Sequence, residues 1–226
     1  MSYIRGCLPR VTLPGEHPRL KVMGTDGTPG PVDPSEPDVI DPDEYVKAII
    51  NQGNQGSCCG CAGVDGVMAA RAMQGLPHIL LSQASLYGRG NGGRDQGMAI
   101  DTCLQLLMED GGGACPADVI DPMDWRGFWT GAWPENWRTV AAGFKVLEAY
   151  DCQSVDHVRA CYKRGFPVIY GAEGHAVVRI GDNLDINSWG KSWGDNGLGQ
   201  WVSEATISRQ IGMYGAWGLR VAIDTQ

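Results

Sequence analysis

The segment from Cys58 to Gln74 carries Cys61, Val64, Met68 and Ala72 at helical spacing, with Gly60, Gly63 and Gly66 set three residues apart among them. Apolar side chains at intervals of three and four residues predict a helix with one buried face. Glycine in a helix interior costs about 1 kcal/mol relative to alanine. Three glycines on one face therefore predict a buried helix with another backbone pressed close to it.

Two more helical patterns follow. Met98 to Glu109 places Ile100, Cys103, Leu104 and Leu107 on one side and stops at Gly111, Gly112 and Gly113. A third helix starts at Ser154, a good N-cap, carries Val155, Val158 and Cys161, and ends at Gly165. After Pro167 the period changes. Short β-rich runs at 167–170, 175–181, 184–189, 199–203 and 216–223 alternate with turn residues. Helices first and sheet later predict an α+β protein of two lobes, with a cleft between them as the natural place for a site. The boundaries read as an N-terminal arm over 1–44 and one domain over 45–226, mainly helical to about 130 and mainly β from about 131.

The arm holds eight of the thirteen prolines. Proline at that density forbids long helices and predicts an extended, partly polyproline-like strap, with acidic residues crowded between Asp33 and Glu44. It reads as a solvated strap over the lobes, the alternative being a docking arm for a partner or particle. A net charge of −8 argues against nucleic acid as the main partner, because phosphate binding needs a basic stripe. No apolar run is long enough for a membrane span. The first residues lack the apolar core of a secretory signal, which points to a cytoplasmic or particle-associated protein. The cysteines at 7, 58, 59, 61, 103, 115, 152 and 161 lack the paired spacing of a zinc site and read mostly as small, reduced, buried side chains.

Three segments carry chemistry. In the first, 51–61, Cys58 opens the glycine-spaced helix, where the helix dipole favours a thiolate. Gln52, across a glycine-rich turn, supplies a side-chain amide able to donate to a developing oxyanion, a contribution of about 10²–10³ in rate. The second places His175 at the start of an apolar strand. The third runs Asn187-Ser-Trp-Gly-Lys-Ser-Trp-Gly-Asp-Asn-Gly197. There an asparagine oxygen can hold an imidazole in one orientation, and a tryptophan beside it can exclude water from that bond. Singly, each has a plainer reading: a buried thiol, a core histidine, a turn asparagine. Together and in this order they are much harder to read as accidents. His17 and His157 have no such company and read as surface residues. Trp125, Trp129, Trp133 and Trp137 lie four apart, but Pro134 argues against one helix there, and they read as packing between the lobes.

In this order the three segments resemble the cysteine, histidine and asparagine blocks of papain-like cysteine peptidases, and Leu81-Ser82-Gln83 is similar to the short run before that family's second helix. The resemblance spans roughly residues 40–205. It implies a helical left lobe and a β-barrel-like right lobe with the active-site cleft between them. The implied activity is a thiol peptidase acting on a peptide or protein substrate, without metal or cofactor. It also implies Cys58 as nucleophile, His175 as base, Asn187 as orienting residue and Gln52 as oxyanion donor. For the substrate it implies a backbone-holding glycine, Gly97 or alternatively Gly93, and tryptophan walls at Trp189 and Trp193.

Two registers fit the nucleophile: Gln52 with Cys58, and Gln55 with Cys61. The first is preferred, because it resembles the bacterial-type pattern and needs no cysteine before Asn91, where Gly90 stands. Three features depart from the family: Cys59 replaces a usual tryptophan, the stretch from Pro167 to His175 is very short, and no long propeptide precedes the domain, so latency would need another device. Two other functions fit the same residues. One is a papain-fold assembly component, such as part of a bacteriophage particle. The other is a thiol amidohydrolase or acyl transferase, the former acting on cell-wall peptides.

Overall fold

A computed structural model describes residues 6–11, 20–23, 28–36, 38, 46–109 and 112–221. His17, Asp41, Asp43, Glu44 and Gly111 lie outside the described residues. The elements, in chain order, are β1 (Cys7–Leu8), β2 (Leu20–Val22), α1 (Cys58–Met73), α2 (Ala84–Gly90), β3 (Met98–Ala99), α3 (Ile100–Met108), α4 (Gly127–Thr130) and α5 (Trp137–Ala141), followed by β4 (Val146–Asp151), α6 (Val155–Tyr162), β5 (Val168–Ala172), β6 (His175–Gly181), β7 (Leu184–Ile186), β8 (Leu198–Gly199), α7 (Glu204–Tyr214) and β9 (Ala216–Val221).

The expected buried helix is α1, and its glycines mark close approaches. A Cβ on Gly60 would lie 3.0 Å from the Gln83 carbonyl, so at this point another backbone does press on the helix. Gly63 instead faces Cys103 and Leu86, and Gly66 faces Leu219 and Ile169 of the sheet. The helix is thus wedged between α2 and α3 on one side and the sheet on the other. α3 starts at Ile100, two residues later than the pattern suggested, because Met98 and Ala99 form a short strand pairing with the arm. α6 begins at the expected cap: Ser154 Oγ accepts from the His157 N–H at 3.2 Å. It closes in a Schellman turn, with Phe166 N–H donating to Cys161 O at 3.0 Å and Gly165 N–H to Tyr162 O at 3.0 Å.

The main sheet has the order β2-β4-β9-β5-β6-β7-β8. β2 lies parallel to β4, and the other joints are antiparallel. Among the described residues nothing pairs β2 with β8, so the sheet is open and the barrel-like closure expected of this lobe is not found. Helices on both faces do the covering that closure would do. Ile169, Val178 and Leu219 point into the core shared with α1, while Val168, Tyr170 and Val177 point to the core shared with α6 and α7. Strands buried on both faces read as continuous apolar runs, as these do. Arg179 and Asp185 are both buried in this sheet and pair at 2.6 Å.

The tryptophan-rich stretch is broken into α4 and α5, as Pro134 implied. Phe128, Trp133 and Trp137 cluster with centroids 5.4–6.1 Å apart, and Trp125 sits edge-on to Tyr87 of α2. Trp129 packs edge-on to Phe128 at 5.3 Å and donates to Gly88 O at 2.6 Å, but 51% of its surface is exposed.

Candidate active site

Cys58 is the first residue of α1, at the positive end of a sixteen-residue helix with no acidic side chain in its first turn. The loop before it is tied down. Gly56 N–H donates to Asp95 Oδ1 at 2.8 Å, and Tyr87 Oη donates to the same oxygen at 2.5 Å while accepting from Gly97 N–H at 3.2 Å.

His175 reaches Cys58 from the sheet. β5 and β6 are joined by two residues, Glu173 and Gly174, with φ of 52° and 75°. Positive φ at both positions is the type I′ hairpin pattern, whose twist matches the strands. The tight turn accounts for the short stretch after Pro167 and fixes the register that pairs Ala172 with His175. Asn187 follows β7, the next strand over. His175 Nε2 and Asn187 Oδ1 are 2.9 Å apart, and both residues are fully buried. With an amide oxygen as partner, Nε2 carries the hydrogen, which leaves Nδ1 as the basic nitrogen. The imidazole is stacked on Trp189 at 4.3 Å and meets the edge of Trp201 at 5.4 Å. Trp193 packs on the far edge of Trp189, at 6.4 Å.

Burial alone would raise the Cys58 thiol. The neighbouring Cys59 and His175 side chains, the charge of the imidazolium and the Ala176 backbone N–H outweigh burial and hold the thiol well below its ordinary range. Cys61, the other candidate register, is pushed well up by burial and then by the charge of Asp65, and its Sγ lies 3.8 Å from Ser57 Oγ. The structure therefore brings His175 to Cys58.

Gln52 is fully buried beside them. Its backbone N–H donates to Ser188 O at 2.8 Å, and Asn51 bridges to Trp189, so the Gln52 segment lies directly against the Asn187 block. Its amide is oriented at both ends. Oε1 accepts from Ser188 Oγ at 2.5 Å, and Nε2 donates to Gln55 O at 2.8 Å.

The candidate substrate glycines separate. Gly97 is buried and faces Gly6 of the arm, whereas Gly93 is exposed and faces the Trp129 ring at 3.5 Å. The arm itself crosses the site. Met98 N–H donates to Gly6 O and Cys7 N–H donates to Gly174 O, each at 2.9 Å. One short strand is thus bonded both to the segment after Gly97 and to the residue before His175. Side chains would not fit at this crossing, since a Cβ on Gly6 would collide with the Gly56 backbone. Beyond the crossing, Arg10 N–H donates to Met213 O at 2.7 Å, and the Arg10 guanidinium lies 3.4 Å from Asp151 and 3.6 Å from the buried Asp101.

No protein-family model matches the sequence, and none of the curated proteins matches it. Among solved structures, xylellain, a cysteine protease from Xylella fastidiosa, aligns with a TM-score of 0.73 at 18% identity, covering 99% of this chain and 99% of its own. The digestive procathepsin L 3 of Tenebrio molitor aligns at 0.64 and 16%, over 90% of this chain and 76% of that one. Bromelain from Ananas comosus, solved with the E64 inhibitor, aligns at 0.60 and 16%, over 82% and 98%. This chain has the papain-like cysteine protease fold.

Within that fold, three features of the site went unread in the sequence. Ser188, which orients Gln52, sits inside the Asn187 block between two more conspicuous residues, and no local pattern marks its hydroxyl as a partner of Gln52. Trp201, on the edge of His175, lies in a run read only as strand. The crossing of the site by Gly6 and Cys7 had no sequence signal beyond the presence of an arm.

Proposed function

We propose that this chain is a cysteine-type peptidase that hydrolyses peptide bonds through Cys58, His175 and Asn187, with Gln52 as oxyanion donor. The observation that carries this reading is the position of His175, held by Asn187 at Nε2, with Nδ1 carrying no hydrogen bond among the described residues and the imidazolium charge acting on a Cys58 thiol that sits well below its ordinary range. In this mechanism His175 Nδ1 takes the Cys58 proton. The thiolate attacks the substrate carbonyl carbon, forming the C–S bond and placing negative charge on oxygen. Gln52 Nε2–H and the Cys58 backbone N–H stabilise that oxygen. His175 returns the proton to the leaving amine as the C–N bond breaks. Water, deprotonated by His175, then cleaves the thioester. Trp189 and Trp201 shield the His175–Asn187 bond from water, which strengthens it.

Gly97 is the preferred backbone-holding glycine over Gly93, because an extended segment, the arm, already lies beside it. The same observation supports a latent state in which residues 6–8 occupy the place of substrate. The test is covalent labelling by an E64-type epoxide, combined with cleavage of a fluorogenic peptide library. Labelling and cleavage should be abolished in Cys58→Ala and retained in Cys61→Ala. Loss only in Cys61→Ala would overturn the choice of nucleophile, and no labelling of wild type even after displacement of the arm would overturn the peptidase reading.

A further inference from the structure

Cys7 is a buried residue of the arm, and a second free thiol, Cys59, lies near it. Cys7 and Cys59 are 5% and 1% exposed, and both are unbridged. Cys7 stands opposite Met98 in the β1–β3 ladder, and Cys59 Sγ, from the second residue of α1, points at the Met98 carbonyl at 3.0 Å. Both side chains therefore gather at Met98, Cys7 through the ladder and Cys59 through the Met98 carbonyl, close enough for each thiol to act on the other. Cys7 fits because Gly171 lacks a side chain, a Cβ there falling 3.0 Å from Cys7 Sγ. The backbone around Cys7 is held on both sides, by Met98 and Gly174.

We propose that Cys7 and Cys59 form a reversible disulfide that fastens the arm in the cleft, so that the chain is locked under oxidising conditions and released by thiols. The co-reactant is a low-molecular-weight disulfide, RSSR. The Cys7 thiolate attacks one of its sulfurs and expels one thiol. The Cys59 thiolate then attacks the Cys7 sulfur of the mixed disulfide and expels the second thiol. The two cysteines lose two electrons and two protons, and RSSR gains them as two RSH. Burial, followed by hydrogen bonds with Cys58 and Cys7, holds the Cys59 thiol well above its ordinary range. Cys59 is therefore a poor attacker of free RSSR, and it reacts as the resolving partner because closure of the arm holds the Cys7 sulfur against it. Cys58 takes no part in the bond and is fully buried next to Cys59.

The locking function rests on the peptidase reading, whereas the cross-link does not, and the experiment separates them. The full chain is equilibrated with oxidised glutathione, alkylated and digested without reduction, and the peptides are read by mass. Wild type should give a peptide pair joined through Cys7 and Cys59 that disappears with dithiothreitol and is absent from Cys7→Ser and Cys59→Ser. In parallel, labelling of Cys58 by the epoxide should slow about tenfold or more on oxidation of wild type, recover with dithiothreitol, and stay unchanged in Cys7→Ser. Only a Cys7–glutathione adduct, or a bond from Cys7 to Cys58, would overturn the proposal while leaving the peptidase reading in place. A Cys7–Cys59 bond with no labelling of Cys58 in any sample would uphold the disulfide and overturn the peptidase reading.

Discussion

His175 Nε2 lies 2.9 Å from Asn187 Oδ1, with the Trp189 ring stacked on the imidazole at 4.3 Å. His175 opens β6 and Asn187 directly follows β7, the neighbouring strand, so the hydrogen bond depends on how the sheet places the end of β7. Asn187→Ala removes the acceptor and leaves the ring free to turn about its χ2. Correct placement of a general base contributes about 10²–10⁴ in rate. The expected result is a fall of about 10²-fold in kcat with KM little changed, measured on a fluorogenic peptide. An unchanged kcat would show that packing by Trp189 and Trp201 suffices to orient the base.

Gln52 and Ser188 make a graded pair. Gln52→Ala should lower kcat by about 10²–10³ through loss of an oxyanion donor. Ser188→Ala removes only the hydrogen bond that orients the amide, worth about 1 kcal/mol, and should lower kcat by about two- to tenfold. Both should leave the rate of Cys58 alkylation by a small haloacetamide nearly unchanged, because that reaction develops no oxyanion. Equal losses in alkylation and in peptide cleavage would mean that the substitutions disturb Cys58 itself.

How much of this site was legible before the fold was seen depended on whether the chemistry was local. Cys58 at the start of a helix and Asn187 in a tryptophan–glycine block are local patterns, and the helix α1, the cap at Ser154 and the break at Pro134 are of the same kind. The choice between Cys58 and Cys61 was not local. It depends on where the β5–β6 hairpin carries His175, and the two-residue turn at Glu173 and Gly174 that sets this lies far along the chain from both cysteines. The open sheet was misread for a similar reason, since whether a sheet closes depends on what covers its faces, here α1 on one side and α6 and α7 on the other. The arm was legible as extended chain, but its path across Gly56 and Gly97 was not, because proline density states what a segment cannot form and says nothing of where it lies.

Asp65 gives the chain a distinct pH dependence. It is buried in α1 beside a small cavity lined also by Val46, Lys47, Met68, His78 and Ile186, and burial raises its carboxyl to about 8 from an ordinary 3.8. The folded protein therefore keeps a proton there that the unfolded chain has already lost. Wherever the native state binds more protons, stability falls as pH rises, by up to about 1.4 kcal/mol per pH unit for a single group. Between about pH 4 and pH 8, wild type should lose stability relative to Asp65→Asn, which has no proton to lose. Urea unfolding across that range would measure it, and parallel profiles for the two proteins would show that the carboxylate finds compensation from Lys47 or His78.

Gly6 offers a direct handle on the arm. A β-carbon on Gly6 would run into the Gly56 backbone, and the Gly6 carbonyl in turn lies against Gly97. Gly6→Val should push residues 6–8 out of the cleft while leaving the lobes intact, since only the packing of the arm against the cleft is disturbed. Cys58 is fully covered in the closed form, so the rate at which an epoxide labels it follows the fraction of molecules that are open. A gain of about tenfold or more in the labelling rate is expected under reducing conditions, with peptide cleavage rising in step. Arg10→Ala, which releases the next anchor at Asp101 and Asp151, should give a smaller gain in the same direction. Thermal unfolding of both variants should stay cooperative at a somewhat lower temperature, because Cys7 leaves the edge of the core in one and the buried Asp101 loses its cation in the other. If both variants label at the wild-type rate with their folds intact, residues 6–8 do not limit access, and the entrance to Cys58 must be sought elsewhere in the cleft.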